Sequence, residues 1–193
     1  MSRGEITLVL GGARSGKSRY AQELVSEMET DHPGAVVYVA TAGILDEEMA
    51  HRVALHRADR PSRWTTLEAQ DHVAERLREL EPRSLVLLDC LTMMISNSML
   101  SRSVDWEKLS RTDRKIEEKA VLAEVDRLVG TIQERALRAV VVSNQVGQGI
   151  VPISALGRAF RDISGWANQH LARDAHRVYL LTAGIPQLIK GGR

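Results

Sequence analysis

A chain of 193 residues with 44% hydrophobic and 26% charged residues is sized for one globular domain, which excludes a disordered, collagen-like or disulfide-dense protein. Its 26 basic and 25 acidic residues leave a net charge of +1, too little for the polycationic surface of a non-specific nucleic-acid binder, so any anion must be held locally. The single cysteine, Cys90, excludes an internal disulfide and a multi-cysteine metal site. No apolar run reaches the roughly 18 residues of a membrane span. The first apolar run, 6–10, is too short for the core of a signal peptide, so a soluble, cytoplasmic, single domain over 1–193 is expected, without a nucleic-acid partner.

Short β-branched runs alternate with longer helical patterns along the chain, which predicts a mainly parallel sheet with helices on both faces. The first strand is expected at 6–10. Directly after it, Gly11-Gly12-Ala13-Arg14-Ser15-Gly16-Lys17-Ser18 matches G-x-x-x-x-G-K-[ST] and opens a helix predicted over 17–28, the context in which this motif cradles phosphate. The glycines let successive N–H groups turn inward, and the helix adds its positive dipole end. Lys17 is expected to reach the β- and γ-phosphates and Ser18 to ligate Mg²⁺.

After a strand at 35–40, a helix is predicted over 46–58. Asp46 caps it, Glu47 and Glu48 fill its first turn, Met49, Ala50 and Val53 supply a buried stripe, and Pro61 lies beyond its end. Arg52, His56 and Arg60 recur every four residues, so each side chain advances only about 40° and the three share one cationic face. A neutral imidazole there could attack phosphorus while the guanidinium groups offset charge; a solvated surface histidine is the plain alternative, and spacing leaves both open. The strand at 64–68 ends in Glu68, either a surface carboxylate or an acceptor for the N1–H and 2-amino group of guanine.

A helix at 70–80 precedes a strand at 84–89 whose apolar run is continuous, as in a strand buried on both faces. Its terminal acid, Asp89, is expected beside the phosphate loop to orient a magnesium shell. The stretch 98–115, mixing Ser, Arg and Asp with Trp106, is expected to be a mobile or exposed insertion. A helix at 115–135 leads to a strand at 139–143, after which Ser143-Asn144-Gln145-Val146-Gly147 either faces the nucleotide or caps the strand. A helix at 153–175, a strand at 177–182 and a short antiparallel edge strand complete the chain. Pro186 suits that edge because it cannot donate to a ladder.

Several blocks, in this order and over nearly the whole chain, resemble the bifunctional adenosylcobinamide kinase/adenosylcobinamide-phosphate guanylyltransferase family of cobalamin biosynthesis. They are the phosphate loop, Tyr38-Val39-Ala40-Thr41-Ala42, Asp46-Glu47-Glu48-Met49 followed by Arg52 and His56, and Arg60-Pro61 with Trp64 and Glu68. Gly147-Gln148-Gly149-Ile150-Val151-Pro152 follows, and then Phe160-Arg161-Asp162 with Gly165 and Asn168-Gln169. The resemblance implies an α/β P-loop NTPase with a RecA-like sheet, assembled as a homotrimer. It implies that ATP or GTP phosphorylates the aminopropanol hydroxyl of adenosylcobinamide, and that GTP then supplies GMP to the new phosphate, releasing pyrophosphate. His56 and Lys17 are implied as catalytic, with His56 carrying the guanylyl group. Nucleotide contacts are implied at Gly11 through Ser18, Ala40, Thr41, Ala42, Arg52, Arg57, Arg60, Glu68 and Asp89, and Mg²⁺ ligation at Ser18 and Asp89. The stripe Arg161, Gly165, Asn168 and Ala172 reads as a corrinoid-facing or subunit-facing surface, or as core capping. Two positions depart from the family pattern: Gln145 stands where glutamate is usual, and Asp89 where glutamate is frequent.

Overall fold

A computed structural model describes residues 3–30, 35–43 and 61–192. Seven strands form one sheet: β1 (Glu5–Gly11), β2 (Val36–Ala40), β3 (Thr65–Glu68), β4 (Leu85–Asp89), β5 (Arg138–Asn144), β6 (Arg177–Thr182) and β7 (Ile185–Lys190). Their order is β3-β2-β4-β5-β1-β6-β7. All neighbours run parallel except β7, which is antiparallel to β6 at the edge and sets Pro186 opposite Leu181.

The helices are α1 (Lys17–Thr30), α2 (Val73–Arg78), α3 (Leu91–Ser101), α4 (Arg111–Glu134) and α5 (Ala155–Asp174). Successive strand residues face opposite sides, so one sheet feeds two cores. Ile6, Leu8, Val86, Leu88 and Val141 pack with α2, α3, α4 and α5. Val9, Leu85, Leu87, Val140 and Val142 face the other way, onto Ala21, Leu24 and Val25 of α1 and onto Trp64. The architecture is the expected α/β P-loop type with a RecA-like sheet. In that arrangement β5 lies between β1 and β4, so one strand stands between Asp89 and the strand that leads into the phosphate loop.

Two expectations are corrected and one helix is added. The helix α3 was not signalled in the sequence, because Leu91-Thr92-Met93-Met94-Ile95 carries apolar residues all round rather than on one stripe, the pattern of a helix sunk in the core. The stretch 98–115 is exposed over much of its length, as expected, but is no structureless insertion: α3 extends into it, α4 begins within it, and Trp106 between them is 4% exposed and part of the larger core. Arg114 Nη2 donates to the Trp106 carbonyl at 3.3 Å, and the Ala155 N–H donates to Glu107 Oε1 at 2.6 Å, tying this loop to α4 and to the start of α5. The helix expected at 70–80 shortens to Val73–Arg78. The helix predicted over 46–58, with Arg52, His56 and Arg57, and Arg60 just after it, lies outside the described residues. Among the described residues no helix is long and apolar enough to cross a membrane.

Because Trp106 fills a core position, Trp106→Ala is expected to destabilise the fold by about 3–5 kcal/mol. Denaturant unfolding measures it, and a loss within ~0.5 kcal/mol, the range of ordinary surface substitutions, would restore the exposed-insertion reading.

Candidate functional site

Where the sheet's C-terminal edge meets α1, the chain from Gly11 to Ser18 turns back on itself. A Cβ at Gly11 would stand 2.5 Å from Ser15 Oγ and 2.7 Å from the Leu181 carbonyl of β6, so only glycine fits between the loop and the sheet. Gly16 has φ of +90°, a conformation that side chains rarely adopt, and the site of its missing Cβ is 3.4 Å from Gly184 Cα. The Gly184 N–H donates to the Ser15 carbonyl at 3.1 Å, so the turn between β6 and β7 braces the loop from outside. On the other flank the Gln145 N–H donates to the Gly11 carbonyl at 3.0 Å. Gly11→Ala is expected to cost about 1–3 kcal/mol by overpacking, read as a lowered melting temperature, since the Leu181 carbonyl belongs to a strand and cannot swing aside.

Lys17 opens α1 and is 7% exposed. Its Nζ donates to the Gly12 carbonyl at 2.5 Å, so the ammonium folds across the mouth of the loop. Burial pushes it below the ordinary lysine range, and the nearby Cys90 and Asp89 oppose that shift. Ser15 Oγ is buried without a hydrogen-bond partner, packed against Gly11. Ser18 is half-buried in the first turn, while Ala13 and Arg14 are exposed, Arg14 at φ of +55°.

Two and three strands away from β1, the ends of β4 and β2 are stitched together. The Thr41 N–H donates to the Asp89 carbonyl at 3.3 Å, and Thr41 Oγ1 both accepts from the Cys90 N–H and donates to the Cys90 carbonyl, each at 2.8 Å. Tyr38 OH donates to Asp89 Oδ2 at 3.0 Å. Asn97 of α3 donates to the carbonyls of Thr41 and Gln70 at 2.8 and 2.9 Å, joining the loops that follow β2 and β3. The Cys90 thiol is raised by burial and by Asp89, so it stays protonated, 3.1 Å from Thr92 Oγ1. Beyond the 44–60 stretch, the Glu29 carboxylate accepts from Arg63 Nε and Nη2 at 2.9 and 2.6 Å and from Trp64 Nε1 at 3.2 Å. This fixes the start of β3 on the last turn of α1.

The structure sets the loop residues with Lys17 and Ser18 at the end of β1, Asp89 two strands away, and Ala40 and Thr41 at the end of β2, where Ala40 pairs with Glu68 of β3. Glu68 thus joins the Ala40 end of the row but lies four strand spacings from β1, or about 19 Å at ~4.8 Å per strand. A base could meet Glu68 only if the nucleotide lay across the sheet edge, phosphates at one end. His56, Arg52, Arg57 and Arg60 are outside the described residues. Sequence reasoning missed Thr92 and Asn97, which sit on the unsignalled helix α3, and the bond from Tyr38 to Asp89, for which a strand tyrosine gives no local signal.

Among the described residues no group of three or more His, Cys, Asp or Glu could by itself hold a metal. The donors near the loop are oxygen donors, the Ser18 hydroxyl and the Asp89 carboxylate, while the one sulfur is neutral. That set fits a hard cation completed by phosphate oxygens, as Mg²⁺ prefers.

The model of one protein family, cobinamide kinase / cobinamide phosphate guanyltransferase, matches residues 7–189. The chain is 42% identical over 184 residues to the bifunctional adenosylcobalamin biosynthesis protein CobU of Escherichia coli (strain K12), covering 95% of this chain and 98% of that one. The protein of the same name from Salmonella typhimurium is 39% identical over 184 residues, with the same coverage. The bifunctional adenosylcobalamin biosynthesis protein CobP of Pseudomonas aeruginosa is 40% identical over 185 residues, covering 95% of this chain and 96% of that one.

Proposed function

The chain belongs to the cobinamide kinase / cobinamide phosphate guanyltransferase family, and from that premise we propose that it phosphorylates the aminopropanol hydroxyl of adenosylcobinamide with a nucleoside triphosphate and then transfers GMP from GTP to the new phosphate through a guanylyl group on His56. The observation that carries the reading is the braced phosphate loop with a buried Lys17, in a chain matching bifunctional relatives over 95% of its length.

In the first transfer the loop N–H groups and Lys17 bind the β- and γ-phosphates and hold the γ-phosphorus toward the acceptor alcohol. Positioning and charge neutralisation supply most of the rate. Ser18 and Asp89 would hold Mg²⁺, which neutralises phosphate charge when bound. In the second transfer a nitrogen of His56 attacks the α-phosphorus of GTP; the N–P bond forms, the P–O bond to pyrophosphate breaks, and pyrophosphate leaves. A phosphate oxygen of the corrinoid substrate then attacks the same phosphorus and releases the imidazole. Arg52, Arg57 and Arg60 supply positive charge near that histidine in the sequence, and Glu68 reads the guanine edge. Ala40, Thr41 and Ala42 line the nucleotide path between Asp89 and Glu68. Exposed Ile150, Val151, Ile153 and Trp166 supply apolar surface of the kind a subunit contact covers, in keeping with a homotrimer.

Intact-mass measurement of the protein after incubation with GTP and Mg²⁺ tests the reading. The expected result is one added GMP per chain, acid-labile, formed with α-labelled and not with γ-labelled GTP. Absence of any adduct, with corrinoid phosphorylation intact, would leave a plain kinase.

A further inference from the structure

Resting on the kinase half of that reading, we propose that the amide oxygen of Asn144 accepts a hydrogen bond from the alcohol that attacks the γ-phosphate, and that Thr92 positions Asn144 for it.

Asn144 is the last residue of β5, the strand interposed between the phosphate loop and Asp89. In the parallel register it faces Gly11, the first residue of the loop. On the other side β5 pairs with β4, which ends in Asp89. Lys17 and Asp89 are close enough for their charges to interact. The residue between them therefore stands at the end of the triphosphate that Lys17 grips, the γ end.

The side chain is held by its nitrogen. Nδ2 donates to Thr92 Oγ1 at 2.8 Å and to Cys90 Sγ at 3.8 Å, which occupies both of its N–H groups. Among the described residues none donates to Oδ1. Phosphate oxygens and the Asp89 carboxylate are acceptors, so an amide oxygen beside them can bond only to a donor, and an alcohol is the donor this reaction brings. The backbone around it is braced as well: Asn168 Nδ2 of α5 donates to the Asn144 carbonyl at 3.1 Å, and Ser143 Oγ donates to Asn168 Oδ1 at 2.6 Å. A fixed acceptor of this kind orients the nucleophile before reaction. An amide does not take up the proton. The alcohol oxygen bonds the γ-phosphorus, the P–O bond to the β-phosphate breaks, nucleoside diphosphate leaves, and the hydroxyl proton passes to solvent.

Guanylylation of the enzyme by GTP uses no alcohol, so it reports separately on nucleotide binding and folding. In the full-length protein, Asn144→Ala is expected to lower kcat for cobinamide phosphorylation about 10–100-fold, with KM for the nucleoside triphosphate and the rate of GMP adduct formation near wild type. Thr92→Val, which removes the bond that turns the amide together with the hydroxyl's contact to Cys90 Sγ, should give a smaller loss of the same kind. The double variant should be no worse than Asn144→Ala alone, the non-additivity of residues acting as a unit. Unchanged phosphorylation in Asn144→Ala overturns the proposal. So does an equal loss of both activities with a raised nucleotide KM, which would mark a structural role. A wild-type protein that forms the adduct but leaves cobinamide unphosphorylated overturns the kinase reading and this inference with it.

Discussion

His56→Ala should abolish guanylyl transfer, by about 10⁴-fold or more as when a covalent nucleophile is deleted, while phosphorylation of the corrinoid alcohol continues. The asymmetry follows from the chemistry. Transfer of the γ-phosphate needs positioning and charge neutralisation, and in the proposed reaction those come from the loop, Lys17 and the groups at the ends of β4 and β5. Transfer of the α-phosphorus through a phosphoramidate needs a nitrogen lone pair at one position. Steady-state assays of both half-reactions check this, together with retention of α-label on the denatured protein. Equal loss of both reactions would mean that His56 supports the fold or the binding of nucleotide and carries no group. Residual guanylyl transfer within tenfold of wild type would remove the covalent intermediate.

Lys17→Met should have the opposite breadth. Both reactions depend on the triphosphate, so both should fall by about 10²–10³-fold, the usual loss for one electrostatic donor in a water-poor site. The nucleotide-free protein should nevertheless become more stable near neutral pH. Burial holds the Lys17 pKa below that of the unfolded chain, so between the two values the unfolded chain binds more protons and stability rises with pH. The cost of burying the charged amine is therefore fully present below the depressed folded pKa and fades as pH climbs toward the ordinary lysine value. Methionine has a similar stem and no charge. The melting-temperature difference between Lys17→Met and wild type should be positive at neutral pH and shrink toward the alkaline end. A negative difference at neutral pH would show that the bond from Nζ to the Gly12 carbonyl outweighs desolvation.

The phosphate loop was legible because its requirements are local: a strand, glycines at tight backbone positions and a lysine opening a helix all lie within a short stretch of sequence. The antiparallel edge was legible for a similar reason, since Pro186 restricts where it can sit. Strand order was not, because the insertion of β5 between β1 and β4 depends on pairing between residues far apart in the chain, such as Glu5 with Arg138 and Leu85 with Arg138. The helix α3 escaped because Leu91, Met94, Ile95 and Met99 are buried along with Thr92, which erases the stripe that marks a surface helix. Trp106 was misplaced for the converse reason: its polar neighbours suggested solvent, yet one large ring suffices to pull a loop inward. For Asn144 the sequence left a nucleotide-facing residue and a strand cap both open, and the register is what shows which strands stand on either side of it.

The position of β1 has a consequence for how the molecule is made. Both of its neighbours, β5 and β6, come from the last third of the chain, and the turn that braces Ser15 comes later still, at Gly184. A ribosome delivers the chain from its N-terminal side, so the nascent loop waits until Gly184 has emerged before all of its braces are in place. Pairings so distant along the chain are slow to close. A ligand of the finished loop can therefore stabilise the folded protein by mass action but cannot template its early collapse.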